Sequence, residues 1–140
     1  MNMIAKSKIV YIVFVCVLLI TSCSDATPKT QYDQTLTIMT HDSFAVSEEV
    51  ISNFEVRHST KVDILSSGDA NTTDNLAILN KADPLADIIY GIDNTLLSRA
   101  LDANILEKYE SPFISNVANE FLLDTQQRVT PINYGDVCIN

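Results

Sequence analysis

The sequence predicts an α/β domain: a parallel-rich sheet with helices packed against it. Three observations carry this reading. Short β-type runs at Leu36–Met39, Lys61–Leu65 and Ala86–Ile92 are each followed by apolar residues at helical spacing. The runs recur about every 25 residues, enough for a crossover helix between parallel strands. Each run also ends in a polar cluster: His41-Asp42-Ser43, Ser67-Gly68-Asp69 and Asp93-Asn94.

The first strand, Leu36-Thr37-Ile38-Met39, follows a polar segment with Pro28 and no apolar period, Ser24–Gln34. Val46, Val50, Ile51 and Phe54 then predict a helix whose apolar stripe faces inward. Glu48 and Glu49 lie early in it, where they suit the positive end of the helix dipole. The second strand leads through Ser66–Asp69 to a helix expected to start near Thr72 or Thr73, with Leu76, Ala77 and Leu79 inward. The third run is apolar enough to be expected buried on both faces. Asp93-Asn94 reads as the cap of a helix carrying Leu96, Leu97, Ala100 and Leu101. Glu107–Phe113 reads as a surface connection and Val117–Leu123 as a short amphipathic piece. Val129–Ile132 then leads through Asn133–Asp136 into a β-like run, Val137–Ile139. That run meets Asn140 without a turn or cap, so the expectation is a truncated domain.

The N-terminus has its own logic. Lys6 and Lys8 precede the uncharged run Ile9–Ile20, which as a helix reaches only about 18 Å against the roughly 30 Å of a bilayer's hydrocarbon core. A spanning helix is therefore the weaker reading. Ile20-Thr21-Ser22-Cys23 resembles a bacterial lipobox, which implies cleavage before Cys23 and acylation of that residue; a plain signal peptide with an incidental Cys23 is the alternative. The expected organisation is a lipoprotein signal peptide over 1–22, a flexible tether over 23–34 and a folded lobe over 35–140. The expected location is outside the cell membrane, lipid-anchored on its periplasmic or extracellular face.

Composition narrows the function. The chain has 140 residues, 9 basic against 18 acidic, and a formal net charge of −9. Removing residues 1–22 takes two lysines and no acid, which makes it more acidic still. Without a Lys/Arg cluster, a nucleic-acid partner is excluded. Cys138 is the one cysteine left after Cys16 and Cys23 are assigned to the leader and the anchor, so no internal disulfide is expected. His41 and His58 offer no metal spacing, and no metal site is expected. The sequence has no G-x-S-x-G, phosphate-loop or H-E-x-x-H motif, so it does not read as an enzyme and calls for no cofactor.

Four stretches together resemble the periplasmic thiamine-binding component of ABC transporters: LTIMTHDSFA (36–45), ADIIYGIDNTLLSRALDA (86–103), YESP (109–112) and VTPINYGD (129–136). They occur in the family's order and cover most of residues 35–140. The resemblance implies the first lobe of a bi-lobed, type II-like periplasmic-binding-protein fold, here incomplete. It also implies capture of thiamine or its phosphates, and delivery to the membrane permease subunits.

Thiamine is a fixed cation with an aminopyrimidine, so its site needs aromatic faces, a carboxylate and hydrogen-bonding groups. By resemblance these are His41, Asp42, Ser43, Gly68, Asp69, Asp93, Asn94 and Tyr134. His41 stands where the family usually has a ring, and Gly68 and Asp69 in the loop used near the ligand's tail. Plain structural roles remain open beside these. Asp42, Ser43 and Asp93 suit helix caps, Tyr134 suits half-buried packing, and His41 suits a surface loop. Alternative functions are a related iron(III) or polyamine receptor, for which the inter-lobe segment offers one ring, or a lipoprotein fragment that binds nothing.

Overall fold

The computed structural model describes residues 32–135. Cys23, Cys138 and the Val137–Ile139 run lie outside the described residues. The elements run in the order β1 (Gln34–Thr40), α1 (Glu48–His58), β2 (Thr60–Ser66), α2 (Ala70–Leu79), β3 (Ile88–Tyr90) and α3 (Leu97–Ala103). Two single 3-10 turns follow, at Ile114–Asn116 and Asn119–Phe121. The three strands form one parallel sheet in the order β2-β1-β3. This is the α/β class expected of three β-then-α units.

β1 pairs along its whole length with β2, from Gln34 opposite Thr60 to Thr40 opposite Ser66. It meets β3 only over Ile38–Thr40, so that Thr40, Ser66 and Tyr90 lie level where all three strands end. The strand begins at Gln34, inside the stretch read as tether. Tyr32 and Asp33 before it are also tied down: Asp33 N–H donates to Ser59 O at 2.8 Å, and the Tyr32 hydroxyl to Glu55 at 2.9 Å.

The helices depart from the sequence reading in which residues they bury. α1 is capped by Ser47, whose hydroxyl accepts from Val50 N–H at 3.4 Å, and ends at Ser59 in the left-handed region (φ 49°). Of its expected inward stripe, Ile51 is half-buried, while Val46, Val50 and Phe54 are exposed. The buried residue is Glu55. Its carboxylate accepts from Val62 N–H, Lys61 Nζ and Tyr32 OH, all at 2.9 Å, and so joins α1 to the start of β2 and to the chain before β1. These donors hold its carboxyl down at about 2.

α2 starts at Ala70, earlier than expected, because Asp69 caps it: its carboxylate accepts from Thr72 N–H at 2.7 Å. Thr73 and Asp74 are buried; of the residues expected inward, Leu76 and Ala77 are half-buried and Leu79 is exposed. Leu76 and Ala77 share a face with Thr73, three and four positions before them, so only Leu79 falls outside the expected face. Asp74 is fully buried, and Arg99 of α3 approaches it at 3.5 Å. Burial pushes its carboxyl above the ordinary range, and the Arg99 charge opposes that.

β3 is shorter than the apolar run that predicted it and is not buried on both faces. Ile88 is exposed, and Ile89 and Tyr90 are half-buried. Asp87 closes the strand at one end by accepting from Thr37 N–H through its carboxylate (2.8 Å), while its own N–H donates to Thr37 O (3.0 Å). Gly91, at φ 108°, closes it at the other. Leu96 and Ala100 at α3 are buried, and with Met39 and Val62 they form the apolar core of the described residues.

From 105 to 135 there is no strand among the described residues. Tyr109 N–H donates to Gln127 O at 2.8 Å, and Arg128 forks onto the Asp124 carboxylate at 2.9 and 3.0 Å. The expected surface connection and short amphipathic piece correspond to this stretch and its 3-10 turns.

Candidate functional site

The parallel register carries the three polar clusters to one edge of the sheet, beyond the carboxyl ends of the strands, which is where ligands of open α/β sheets sit. The first two clusters are bonded together. Asp42 N–H donates to Gly68 O at 2.8 Å, Gly68 N–H returns a bond to Asp42 Oδ1 at 3.1 Å, and the Ser66 hydroxyl donates to the same oxygen. Ser66 and then the Gly68 N–H lower the Asp42 carboxyl below its ordinary range. Burial and then neighbouring Asp69 oppose this, while His41 adds to the lowering. Asp42 is therefore an anion fixed across the β1 and β2 ends.

Asp69 has the capping role described above, with its carboxyl lowered by Thr72. Asp93 holds the turn that leads into α3, whose own N-cap position, Leu96, has no side-chain cap bond. Its Oδ1 accepts from Thr95 Oγ1 (2.6 Å), Thr95 N–H (2.8 Å) and Leu96 N–H (3.1 Å), and its carbonyl from Leu97 N–H (3.0 Å). The Thr95 hydroxyl is the largest influence that lowers its carboxyl. Asp69 thus takes a cap role that the sequence reading did not assign to it, Asp93 takes the related role in the turn before α3, and both carboxyls are lowered at the edge. Asp42 is no cap; Ser47 takes that part for α1.

His41 lies against the end of β3. A Cβ built on Gly91 would meet His41 Cδ2 at 2.4 Å, so the imidazole occupies space that only a glycine leaves open. Tyr90 stands beside it, ring centroids 6.1 Å apart and planes at 38°, and Phe44 meets Tyr90 edge-on at 4.8 Å and 61°. Ser43 and Asn94 are exposed in turns, and neither side chain bonds to another described residue. Tyr134 is not half-buried: it is 78% exposed and stacks on Phe121 at 4.7 Å and 18°. Its neighbour Asn133 is what reaches the edge, Nδ2 donating to the Tyr90 hydroxyl at 3.5 Å.

Sequence reasoning overlooked Tyr90, Phe44 and Ser66. Tyr90 had a signal, an aromatic residue closing an apolar run directly before a glycine. Ser66 had none, because a serine at a strand end is ordinary. A separate depression of about 270 Å³ lies among Ile114, Leu122, Asp124, Thr125, Gln127 and Val129. None of the residues expected at the site lines it, and Asp124 is already bound to Arg128.

No protein-family profile and no curated protein matches the chain. Among solved structures, its fold matches Trichodesmium IdiA (FutA) in complex with iron and citrate ligands, with a TM-score of 0.56 and 18% sequence identity. The match covers 66% of this chain and 29% of that one. The fold is a partial periplasmic-binding-protein lobe. The sheet order, with β1 central and every strand parallel, gives that lobe its edge of convergent loops. Those loops, 41–47, 67–69 and 91–96, contain Asp42, Asp69 and Asp93 and no Lys or Arg.

Proposed function

We propose that the chain belongs to the solute-binding component of an ABC transporter. It captures a thiamine-type organic cation outside the membrane, from a lipid anchor at Cys23, and hands it to the permease. One observation carries the reading: a single sheet edge presents three fixed carboxylates and aromatic rings, with no Lys or Arg in its loops. A quaternary cation needs that combination, charge balance together with a ring face. His41, Asp42, Ser43, Gly68, Asp69, Asp93, Asn94 and Tyr134 remain the proposed contacts, in a cleft that closes as two lobes meet.

Iron(III) is the second reading. It is favoured by the His41–Tyr90 juxtaposition and by the iron and citrate named for the matched structure. Among the described residues no three His, Cys, Asp or Glu side chains converge on one point, so further ligands would have to come from outside them. Calorimetric titration with thiamine, ferric citrate and putrescine separates these readings. Saturable binding of thiamine that Asp42→Asn weakens at least tenfold supports the first. Binding of iron alone would replace it with the second, and no binding of any would leave a lipoprotein without a ligand.

A further inference from the structure

Tyr90 is the one ring at the sheet edge whose position is fixed from several sides. Its backbone is locked by pairing with Thr40 of β1. Phe44 crosses its ring edge-on at 4.8 Å, His41 lies at 6.1 Å, and Asn133 reaches its hydroxyl at 3.5 Å. The ring is half-buried, on a strand that has no further neighbour among the described residues. It thus closes no core; it stands where β3 stops and the loop to Asp93 begins.

We propose that Tyr90 is the aromatic platform for the cationic ligand, with Phe44 as the positioning residue that sets its plane. This rests on the reading of the edge as a cation site and deepens it. A phenol ring attracts a cation through its face more strongly than an imidazole does. His41, wedged against Gly91, then borders the platform and is not itself the main contact. The sequence resemblance places the expected ring at His41; the geometry points to a ring one strand over.

The experiment titrates the complete protein, second lobe included, and its variants with thiamine and with the neutral aminopyrimidine half of thiamine. Tyr90→Phe keeps the face and loses the hydroxyl, so thiamine affinity should stay within about threefold. Tyr90→Leu should lose tenfold or more for thiamine while changing little for the neutral fragment. Phe44→Leu should weaken thiamine binding less than Tyr90→Leu, again without affecting the neutral fragment. Circular dichroism melts accompany each variant. If Tyr90→Leu does not fold, Tyr90→Trp decides: equal or tighter thiamine binding supports the platform, and loss overturns it. Thiamine binding untouched by Tyr90→Leu overturns the platform alone, as does equal loss in Tyr90→Phe, which would assign the hydroxyl the role. A wild-type protein with both lobes present that binds no cation overturns the parent reading as well.

Discussion

Replacing Gly91 by alanine tests the edge where backbone and site meet. The residue sits at φ 108°, where an L-residue costs about 1–3 kcal/mol. The new Cβ would also fall 2.4 Å from His41 Cδ2, against ordinary contact beyond 3.4 Å. The imidazole must therefore retreat by about 1 Å, at an overpacking cost of about 1–3 kcal/mol. Together these are a large share of the roughly 5–15 kcal/mol by which small domains are stable. Gly68→Ala is the control. Its φ is 98°, but its Cβ would meet only Thr72 side-chain atoms, at 3.3 Å, so it pays the backbone cost without moving a site ring. Urea unfolding should rank wild type above Gly68→Ala and Gly68→Ala above Gly91→Ala. Proton NMR of the two histidines, with His58→Gln for assignment, should show the His41 ring signals displaced in Gly91→Ala alone. Unchanged His41 signals, or equal losses in the two variants, would refute the contact.

Glu55→Gln should flatten the acid limb of stability. The Glu55 carboxyl is held near 2, below its ordinary 4.5, so its contribution is full above pH 4.5 and disappears as pH falls through about 2. Urea midpoints of wild type and variant should differ at pH 6 and converge by pH 2. Asp74→Asn should do the reverse: burial raises that carboxyl above 3.8, so the native state loses stability as pH climbs past it. The variant should melt higher than wild type at pH 7 and equal to it below pH 3, and a lower melt at pH 7 would mean that the Arg99 pair outweighs the burial. Cys23→Ser should leave uncleaved precursor and abolish labelling by a radioactive fatty acid; persistent label would exclude the lipobox.

The sheet was legible because its signals are local and repeated. Leu36–Met39 and Lys61–Leu65 each lie inside an observed strand, and the polar residues that end the runs lie at one edge because parallel pairing leaves them no other place. The polar residues that the helices bury were not legible. A period of apolar residues in α1 points to Val50 and Phe54, yet three donors gathered from Tyr32, Lys61 and Val62 make Glu55 the residue worth burying. Those donors lie 6 to 23 positions away, in β2 and in the chain before β1, and so outside the helix itself. Asp74 hid in α2 for the same reason, its partner Arg99 belonging to another helix. At the candidate site the carboxylates could be read from strand-end position, whereas Tyr90 was absorbed into the apolar run it terminates. Its meeting with His41 depends on a missing side chain at Gly91, and an absent atom leaves little trace in a hydropathy pattern.

The unequal pairing of β1 sets the order in which the domain comes apart. β2 is fastened to it by seven residue pairs and β3 by three. Backbone amides of Ile88–Tyr90 should therefore exchange with solvent through a partial opening that leaves β1, α1 and β2 intact. That opening carries Tyr90 away from His41 and dissolves one wall of the edge. A solute held between them can bind only the closed form, so part of its binding energy goes into fastening the third strand. Occupancy would then be written into the protection of those β3 amides that bond to β1, and the lobe would be most rigid when loaded.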